Sequence, residues 1–232
     1  RDEADKKTEE LIPAIFHDMV GSRIKKGQEL PVGWKWVKLG DVCRLLNGYA
    51  FKSKDFVSSG VPVVKMANVT RDGRCDLQNA PMSYLSPQYL TTYPNYSIKR
   101  GDILINLTNA KAEFLGICAR YTLDFQALLN QRVAVVKDIT SNCTYDYLYW
   151  TFRSPGFRTH ATTGGYTGAQ QKNTNTRYLE TFKLGLPPLE EQKRIAGILN
   201  ETEEIKNTNA ESGKRIEELK SSLLQKAFRG EL

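Results

Sequence analysis

Apolar and polar positions follow a helical period over the last part of the chain. From Ile195 to Leu223, within the helical run Leu189–Phe228, the apolar and small polar residues alternate steps of three and four, which is typical of a coiled-coil seam. We predict one long helix here, about 60 Å at 1.5 Å per residue, too long for the preceding domain to cover. The apolar seam positions, which we expect to pack against another helix or subunit, are Ile195, Ile198, Ile205, Ile216, Leu219 and Leu223; Thr202, Asn209 and Ser212 lie between them.

Prolines and carboxylates mark where this helix begins. Pro187 and Pro188 end the preceding segment, because proline donates no backbone hydrogen bond and restricts its predecessor to extended geometry. Glu190 and Glu191 suit the positive end of a helix that starts beside them. A shorter helical pattern covers Thr8–Gly21. One helix leads into the middle of the chain and the other leads out, so we expect the pair to be antiparallel.

The middle of the chain has the short β-branched runs of strands, bounded by turn residues. We predict a mixed α/β domain over 30–188, a helical arm over 1–29 and the long helix over 189–232. A short amphipathic helix is expected over Asp146–Phe152. The expected strands are Val61–Asn68, Ile103–Thr108, Gly116–Tyr121 and Val133–Lys137.

The aromatic side chains of this domain divide into two groups. We expect most of them in or around one packed core. Tyr49 and Tyr166 are the exceptions, because each lies beside glycines in a predicted loop. Core packing is less able to explain an aromatic ring at such a position. The core or rim aromatics are Trp34, Trp36, Phe51, Phe56, Tyr149 and Trp150.

Charge is concentrated in the same middle region. Residues 1–29 carry six basic and seven acidic side chains, and residues 189–232 carry eight and nine. Residues 30–188 therefore hold 19 basic and ten acidic side chains, a net charge of +9 within a chain of +7. This distribution is expected of a polyanion-binding domain carried on neutral arms, although many basic domains bind no nucleic acid.

The segment between Asp146 and Glu180 has no acidic residue and several polar amides. Its loop, Gly164–Tyr178, combines glycines, which allow close approach of a ligand, with Gln and Asn side chains that can pair with adenine. An ordinary polar surface loop has the same composition, so the composition alone does not decide between the two.

Catalytic patterns are missing from the sequence. Two histidines, His17 and His160, have no neighbours at metal-ligand spacing, and no phosphate-binding glycine loop is present. Asp102 is interpreted as a turn or capping residue. We expect no metal and no cofactor, and the four scattered cysteines favour reduced thiols in a cytoplasmic protein. No signal peptide and no membrane-spanning apolar run is found.

Several blocks together resemble the specificity (S) subunits of type I restriction-modification systems. LPPLEEQKRIAGIL and EELKSSLLQKAFRGEL resemble the distal conserved helical region of that family. Blocks similar to its target recognition domain are LPVGWKWVKLGDVC, NGYAFKSKDF, VPVVKMANV, RGDILINLTNAKAEFLGICA and LLNQRVAVV. The resemblance runs from IPAIFHDMVGS to the final AFRGEL.

The resemblance implies a DNA-binding subunit of a phage-defence system that is not itself an enzyme. Such a subunit reads half of a bipartite double-stranded DNA site and scaffolds the methyltransferase (M) and restriction (R) subunits, which carry out methylation and cleavage. Usual S subunits have two recognition domains, whereas this chain has one, so we expect a fragment or a natural half-subunit. A homodimer through the helical arms is an alternative arrangement.

Candidate DNA contacts come from basic and amide side chains in the predicted loops. We expect cations to bind phosphates, and amides or arginines to read bases. The candidates are Lys52, Lys54, Arg71, Arg74, Lys111, Arg132, Tyr166, Gln170, Gln171, Lys172, Asn173, Asn175 and Arg177. Two other classes remain open from the sequence: a basic module that binds acidic proteins, and a DNA-acting enzyme with an unrecognised site.

Overall fold

A computed structural model describes residues 2–24, 29–78, 80–109, 111–164, 166–167 and 172–228. For residues 2–10, 166, 167, 211, 214 and 216–228 it describes the backbone alone. The helices are α1 Asp2–Met19, α2 Gln88–Thr92, α3 Tyr145–Arg153, α4 Pro155–Thr163, α5 Thr176–Leu179 and α6 Leu189–Phe228. The strands are β1 Lys35–Lys38, β2 Arg44–Asn47, β3 Val61–Val64, β4 Tyr84–Leu85, β5 Ser97–Ile98, β6 Ile103–Asn106, β7 Thr108–Asn109, β8 Cys118–Arg120, β9 Ala127–Leu129, β10 Val133–Lys137, β11 Tyr166–Thr167, β12 Lys172–Asn173 and β13 Lys183–Leu186.

A four-stranded antiparallel sheet, ordered β2-β10-β6-β8, forms the centre of the domain. Side chains along a strand alternate between its faces, and β6 shows this directly. Ile103 and Ile105 enter one buried cluster, whereas Leu104 between them enters another. The central sheet is therefore apolar on both faces, which explains why its strands are continuous hydrophobic runs.

Helices cover one face of the central sheet and a second sheet covers the other. Residues of α1, α3, α4 and the start of α6 share the first cluster with the sheet. The second sheet is ordered β4-β3-β9-β5, and β3 pairs with β9 in parallel. The predicted strand Val61–Asn68 is shorter than expected, because β3 ends at Val64 and a 3-10 turn occupies Met66–Asn68.

The chain enters and leaves the domain through one antiparallel strand pair. Lys35 of β1 lies opposite Leu186 of β13, and α6 begins three residues later. Pro188 accepts the backbone N–H groups of Glu191 and Gln192, so the first helical turn starts from the second proline. The predicted helix start at Leu189 is confirmed.

The two terminal helices run antiparallel, as predicted. Arg23, just after α1, forms a 2.8 Å ion pair with Glu191 at the start of α6. Ile12, earlier in α1, and Lys206, farther along α6, line one cavity of about 350 Å³. Ile12 and Phe16 are buried in the same cluster as Ile195.

The first turns of α6 pack on the domain through a broader face than the predicted seam. Ile195 is buried as expected, but its buried neighbours are Ala196 and Leu199. Ile198 is 38% exposed and Ile205 is 62% exposed, so both leave apolar surface open. The physical reason is that a helix packed on a domain buries a broad face, whereas a coiled-coil seam is a narrower stripe. Packing of Ile198 and Ile205 against another chain stays a prediction. The side chains of Ile216, Leu219 and Leu223 lie outside the described part.

Polar side chains that the sequence did not single out hold α6 to the domain. Gln192 is completely buried; its amide oxygen accepts from Thr144 N–H (2.8 Å), and its nitrogen donates to the carbonyls of Asn142 and Pro187 (2.9 and 2.8 Å). Two turns later, Asn200 accepts from the Trp150 indole at 2.9 Å.

A largely buried ion pair lies one turn farther along α6. The Arg153 guanidinium pairs with Glu203 and donates to the Tyr149 hydroxyl at 2.8 Å. Burial opposes the charge of Arg153, yet the nearby Tyr149 and Glu203 leave the pKa of Arg153 raised. We expect this paired charge to fix the direction of α6 on the domain.

The prediction of core or rim aromatics holds in five of six cases, because Phe56 packs at the rim of a buried cluster. Trp34, Phe51, Tyr149 and Trp150 are at most 8% exposed, whereas Trp36 is 47% exposed and Phe56 is half-buried.

Among the described residues, no helix is long and apolar enough to cross a membrane.

Candidate nucleic-acid interface

Loops that are far apart in sequence meet at one end of the central sheet, where β2 and β6 end and β10 begins. The turn Asn130–Arg132 lies between β9 and β10, and its Arg132 carbonyl accepts a hydrogen bond from the Leu107 N–H at 3.0 Å. Leu107 in turn accepts the Thr174 N–H at 2.8 Å, which ties the strand β12 to the same place. On the other side of the turn, Gln131 N–H donates to the carbonyl of Tyr49 at 3.1 Å.

We call this group of segments the loop edge. It comprises Gly48–Tyr49, Thr108–Asn109 with Lys111, Asn130–Arg132 and Lys172–Asn173. In the small sheet β11-β12-β7, Lys172 lies opposite Asn109 and Asn173 lies opposite Thr108. Residues from four separate parts of the sequence therefore present one continuous surface.

The loop edge and the turn beside it carry several cations. Lys111 and Arg132 are exposed and Lys172 is half-buried. Lys52 and Lys54, also exposed, follow Tyr49 on and beside the 3-10 turn Ser53–Asp55. Among the described side chains, no carboxylate pairs with any of these five cations. Unpaired cations on one edge create a field that attracts phosphates.

Arg71 and Arg74 differ from these cations because both have partners. Arg71 forms a 3.2 Å ion pair with Glu113 and lies 4.3 Å over the Phe114 ring. Arg74 lies 3.7 Å from the Asp72 carboxylate within their own turn. Both arginines are exposed, and both help to hold local structure.

The candidate residues of the loop Gly164–Tyr178 have different surroundings. Asn175 caps helix α5, accepting the Tyr178 N–H on its side-chain oxygen at 2.8 Å, so that oxygen is occupied. Arg177 is exposed on the same short helix. Gln170 and Gln171 lie outside the described residues, as does the side chain of Tyr166, whose backbone forms part of β11.

Gly164 has a packing role, which corrects the expectation that it allows a ligand to approach. A Cβ at this position would lie 1.8 Å from a carbon of the Tyr178 ring. That ring is stacked on His160 with centroids 4.4 Å apart. His160 is therefore an aromatic packing residue, with its Nε2 3.1 Å from the Tyr178 carbonyl.

Other candidate chemical groups are used in structural contacts. Asp102 forms a turn by accepting the Lys99 N–H, and it also pairs with Lys137 at 3.1 Å, a partner that the sequence did not reveal. All four cysteines are buried free thiols. Burial raises the pKa of Cys43, Cys75, Cys118 and Cys143 to about 12. Among the described residues, no three His, Cys, Asp or Glu side chains gather into a metal site.

Comparison with known families decides the family of this chain. A model of the type I restriction modification DNA specificity domain matches residues 31–221. The chain belongs to this family. The matched range contains the whole loop edge and the start of α6, so both regions are parts of a type I specificity domain.

Related proteins carry the same family name. The EcoAI specificity subunit of Escherichia coli is 29% identical over 181 residues, which cover 76% of this chain and 29% of that protein. The MjaVIII specificity subunit of Methanocaldococcus jannaschii is 28% identical over 208 residues, covering 88% of this chain and 47% of that protein. The chain thus spans less than half the length of both relatives.

Solved structures show the same fold. The HsdS subunit from Thermoanaerobacter tengcongensis matches the whole chain with a TM-score of 0.63 at 23% identity. A chain from a study of complex assembly in the type I R-M system matches it with a TM-score of 0.66 at 24% identity. This specificity domain covers 53% and 54% of those two chains.

Proposed function

We propose that this chain reads one half of a bipartite DNA target as the recognition part of a type I restriction-modification specificity subunit. The observation that carries the proposal is the loop edge, where cations and amides from three of its four segments share one surface, with no carboxylate paired to these cations among the described side chains. Cations suit contacts to phosphates and amides suit contacts to base edges, so this surface offers both kinds of group that a duplex site requires.

The division of labour between side chains follows from their chemistry. Lys52, Lys54, Lys111 and Arg132 would bind phosphates and set the register of the domain on the duplex. Lys172 and Asn173 stand on the strand β12, where an amide can make two hydrogen bonds to adenine and an ammonium can reach guanine. Arg71 and Arg74, which have carboxylate partners, would contribute less.

The long helix would connect recognition to the rest of a complex. Its exposed Ile198 and Ile205 offer apolar surface to another helix, either from the same specificity protein or from a second copy. We propose that M and R subunits assemble around such a helical spacer and supply methylation and cleavage, so this chain contributes no catalytic group. Such a complex would act on DNA in the cytoplasm.

Selection of DNA from a random duplex library by the purified chain tests this function. We expect one short motif to be enriched, and binding to weaken steeply as salt rises, because released counterions drive phosphate contacts. Binding without sequence or salt dependence would instead indicate a basic protein-interaction module. Cleaved or methylated DNA after incubation of the chain alone with magnesium or a methyl donor would indicate an enzyme.

A further inference from the structure

Tyr49 of the loop edge belongs to a cluster of aromatic rings, and the function proposed above assigns this cluster no specific contact. Tyr49 stands in the middle of it, with ring centroids 5.1 Å from Phe51, 4.7 Å from Tyr93 and 5.1 Å from Tyr96. Phe51 is 8% exposed, whereas Tyr49 is 36% exposed. Tyr49 therefore forms the accessible top of a packed aromatic group.

The backbone of Tyr49 is fixed by the same turn that presents Arg132. Its N–H donates to the carbonyl of Leu129 at 2.8 Å, and its own carbonyl accepts the Gln131 N–H. Gly48 makes this close approach possible, since a Cβ there would lie 2.2 Å from the Leu129 oxygen and 2.3 Å from the Asn130 oxygen. The position is thus built to hold a tyrosine at the edge.

The ring of Tyr49 is held as firmly as its backbone. Three aromatic rings pack against it, and a hydrogen bond with Tyr49 is the largest cause of the raised pKa of Tyr93. The small core beneath is already complete, because Phe51 packs there with Val61, Val63, Leu85 and Leu128. An aromatic ring that packs on its neighbours and is left accessible suits an apolar contact.

The charges on either side indicate what would meet this ring. Lys52 and Lys54 lie just beyond it in sequence, Gln131 and Arg132 lie on the hydrogen-bonded turn beside it, and the half-buried Asp55 lies beside Tyr89 and Tyr93 of the cluster. A duplex whose phosphates meet these cations would place base edges over Tyr49. In the major groove the thymine C5 methyl is the apolar group that a side chain can contact.

Resting on the function proposed above, we propose that Tyr49 reads a thymine in the target half-site by contact with its C5 methyl group. The aromatic cluster acts as a rigid support, and the contact excludes water from both apolar surfaces. Tyr49 is then a specificity-determining residue that works through shape and apolar contact, beside neighbours that work through charge and hydrogen bonding.

Replacing thymine with uracil tests this directly, because uracil lacks only the methyl group. Each thymine of the selected motif is replaced in turn, and dissociation constants are measured for the full chain. We expect the affinity to fall about fourfold when one particular thymine is replaced, because burial of one methyl-sized group contributes about that much to binding. Tyr49→Ala should bind the thymine duplex more weakly and no longer distinguish it from the uracil duplex.

Two further variants keep the test specific. Tyr49→Phe retains the ring and should keep the preference for thymine. Phe125→Ala removes another exposed aromatic residue, 50% exposed and packed on Tyr121 after β8, and should also keep the preference. If Tyr49→Ala does not fold, as judged by circular dichroism, Tyr49→Gln replaces it with the same expected loss of discrimination.

The possible outcomes separate this inference from the proposed function. A selected motif without a methyl effect at any thymine, or a Tyr49→Ala variant that still prefers thymine to uracil, would overturn the role of Tyr49 and leave half-site recognition standing. Failure of the wild-type chain to select any motif would overturn both, at the earlier step.

Discussion

At the scale of single residues, the structure separates side chains that looked equivalent in the sequence. Arg74 and Arg132 are both exposed arginines in loops, but among the described side chains a carboxylate lies beside Arg74 and none pairs with Arg132. Sequence can supply the residue type and an approximate loop, whereas the pairing of Arg71 with Glu113 depends on two loops meeting across 42 positions. Composition alone could not reveal such a contact.

Arg132→Ala should weaken DNA binding by about 1 kcal/mol and reduce the slope of affinity against salt by about one unit, because one phosphate contact is lost. Arg74→Ala is the matched control and should change affinity less than twofold. Fluorescence anisotropy with the selected duplex at several salt concentrations measures both quantities. Equal losses in the two variants would argue against the loop edge as the contact surface.

Buried cysteines provide a second residue-scale test. Burial raises the thiol pKa values to about 12, so at pH 8 the reactive thiolate should be scarce in the folded chain. The unfolded chain, with thiols near the ordinary value of 9.0, should react far faster with a thiol-specific dye. We expect at least a tenfold difference in rate, and equally fast labelling of the native chain would contradict the described burial.

At the scale of elements, hydrophobic pattern predicted three of the four strands of the central sheet and the two terminal helices, but not most of the short strands. Alternation and β-branched runs located β3, β6, β8 and β10, and the proline pair located the start of α6. The pattern was less informative about α6 itself, because a helix that leaves a domain has both a domain-facing side and an outer side. The seam assignment described one side, and Ala196 and Leu199 occupy the other.

Polar anchoring of α6 was beyond sequence reasoning, since Gln192 resembles any helix-surface glutamine. Gln192→Ala should lower the free energy of unfolding by about 2–3 kcal/mol, because it leaves the Thr144 N–H and two carbonyls buried without partners. Gln126→Ala, at an exposed position, should change stability by less than about 0.5 kcal/mol. Urea unfolding followed by circular dichroism measures the difference, and similar stabilities of the two variants would refute the anchoring role.

At the scale of the whole molecule, the proposed function assigns recognition and spacing to different parts of the chain. The domain presents the loop edge, and the 40-residue helix α6 extends for about 60 Å, comparable to about 18 base pairs of duplex. Gln192, Asn200 and Glu203 join the two parts at the helix start. A change farther along the helix should therefore alter spacing without altering the half-site sequence.

Deletion of residues 207–220, which removes two heptads and keeps the anchored turns, should shorten the preferred spacer between half-sites. The helix loses about 21 Å, equivalent to about six base pairs. Selection from libraries with variable spacers, using the assembled methyltransferase complex, measures the preference. An unchanged spacer with an unchanged half-site motif would show that α6 does not set the distance.

The central claim, that this chain specifies a DNA sequence, is tested most directly by mapping methylated bases. DNA is incubated with the cognate methyltransferase subunit in the presence or absence of this chain, and methylated positions are located by sequencing. The account predicts methylation at one motif only when the chain is present, and loss of that motif when Lys172 and Arg132 are replaced by alanine. Methylation that is the same with and without the chain, in a complex confirmed to form, would contradict it.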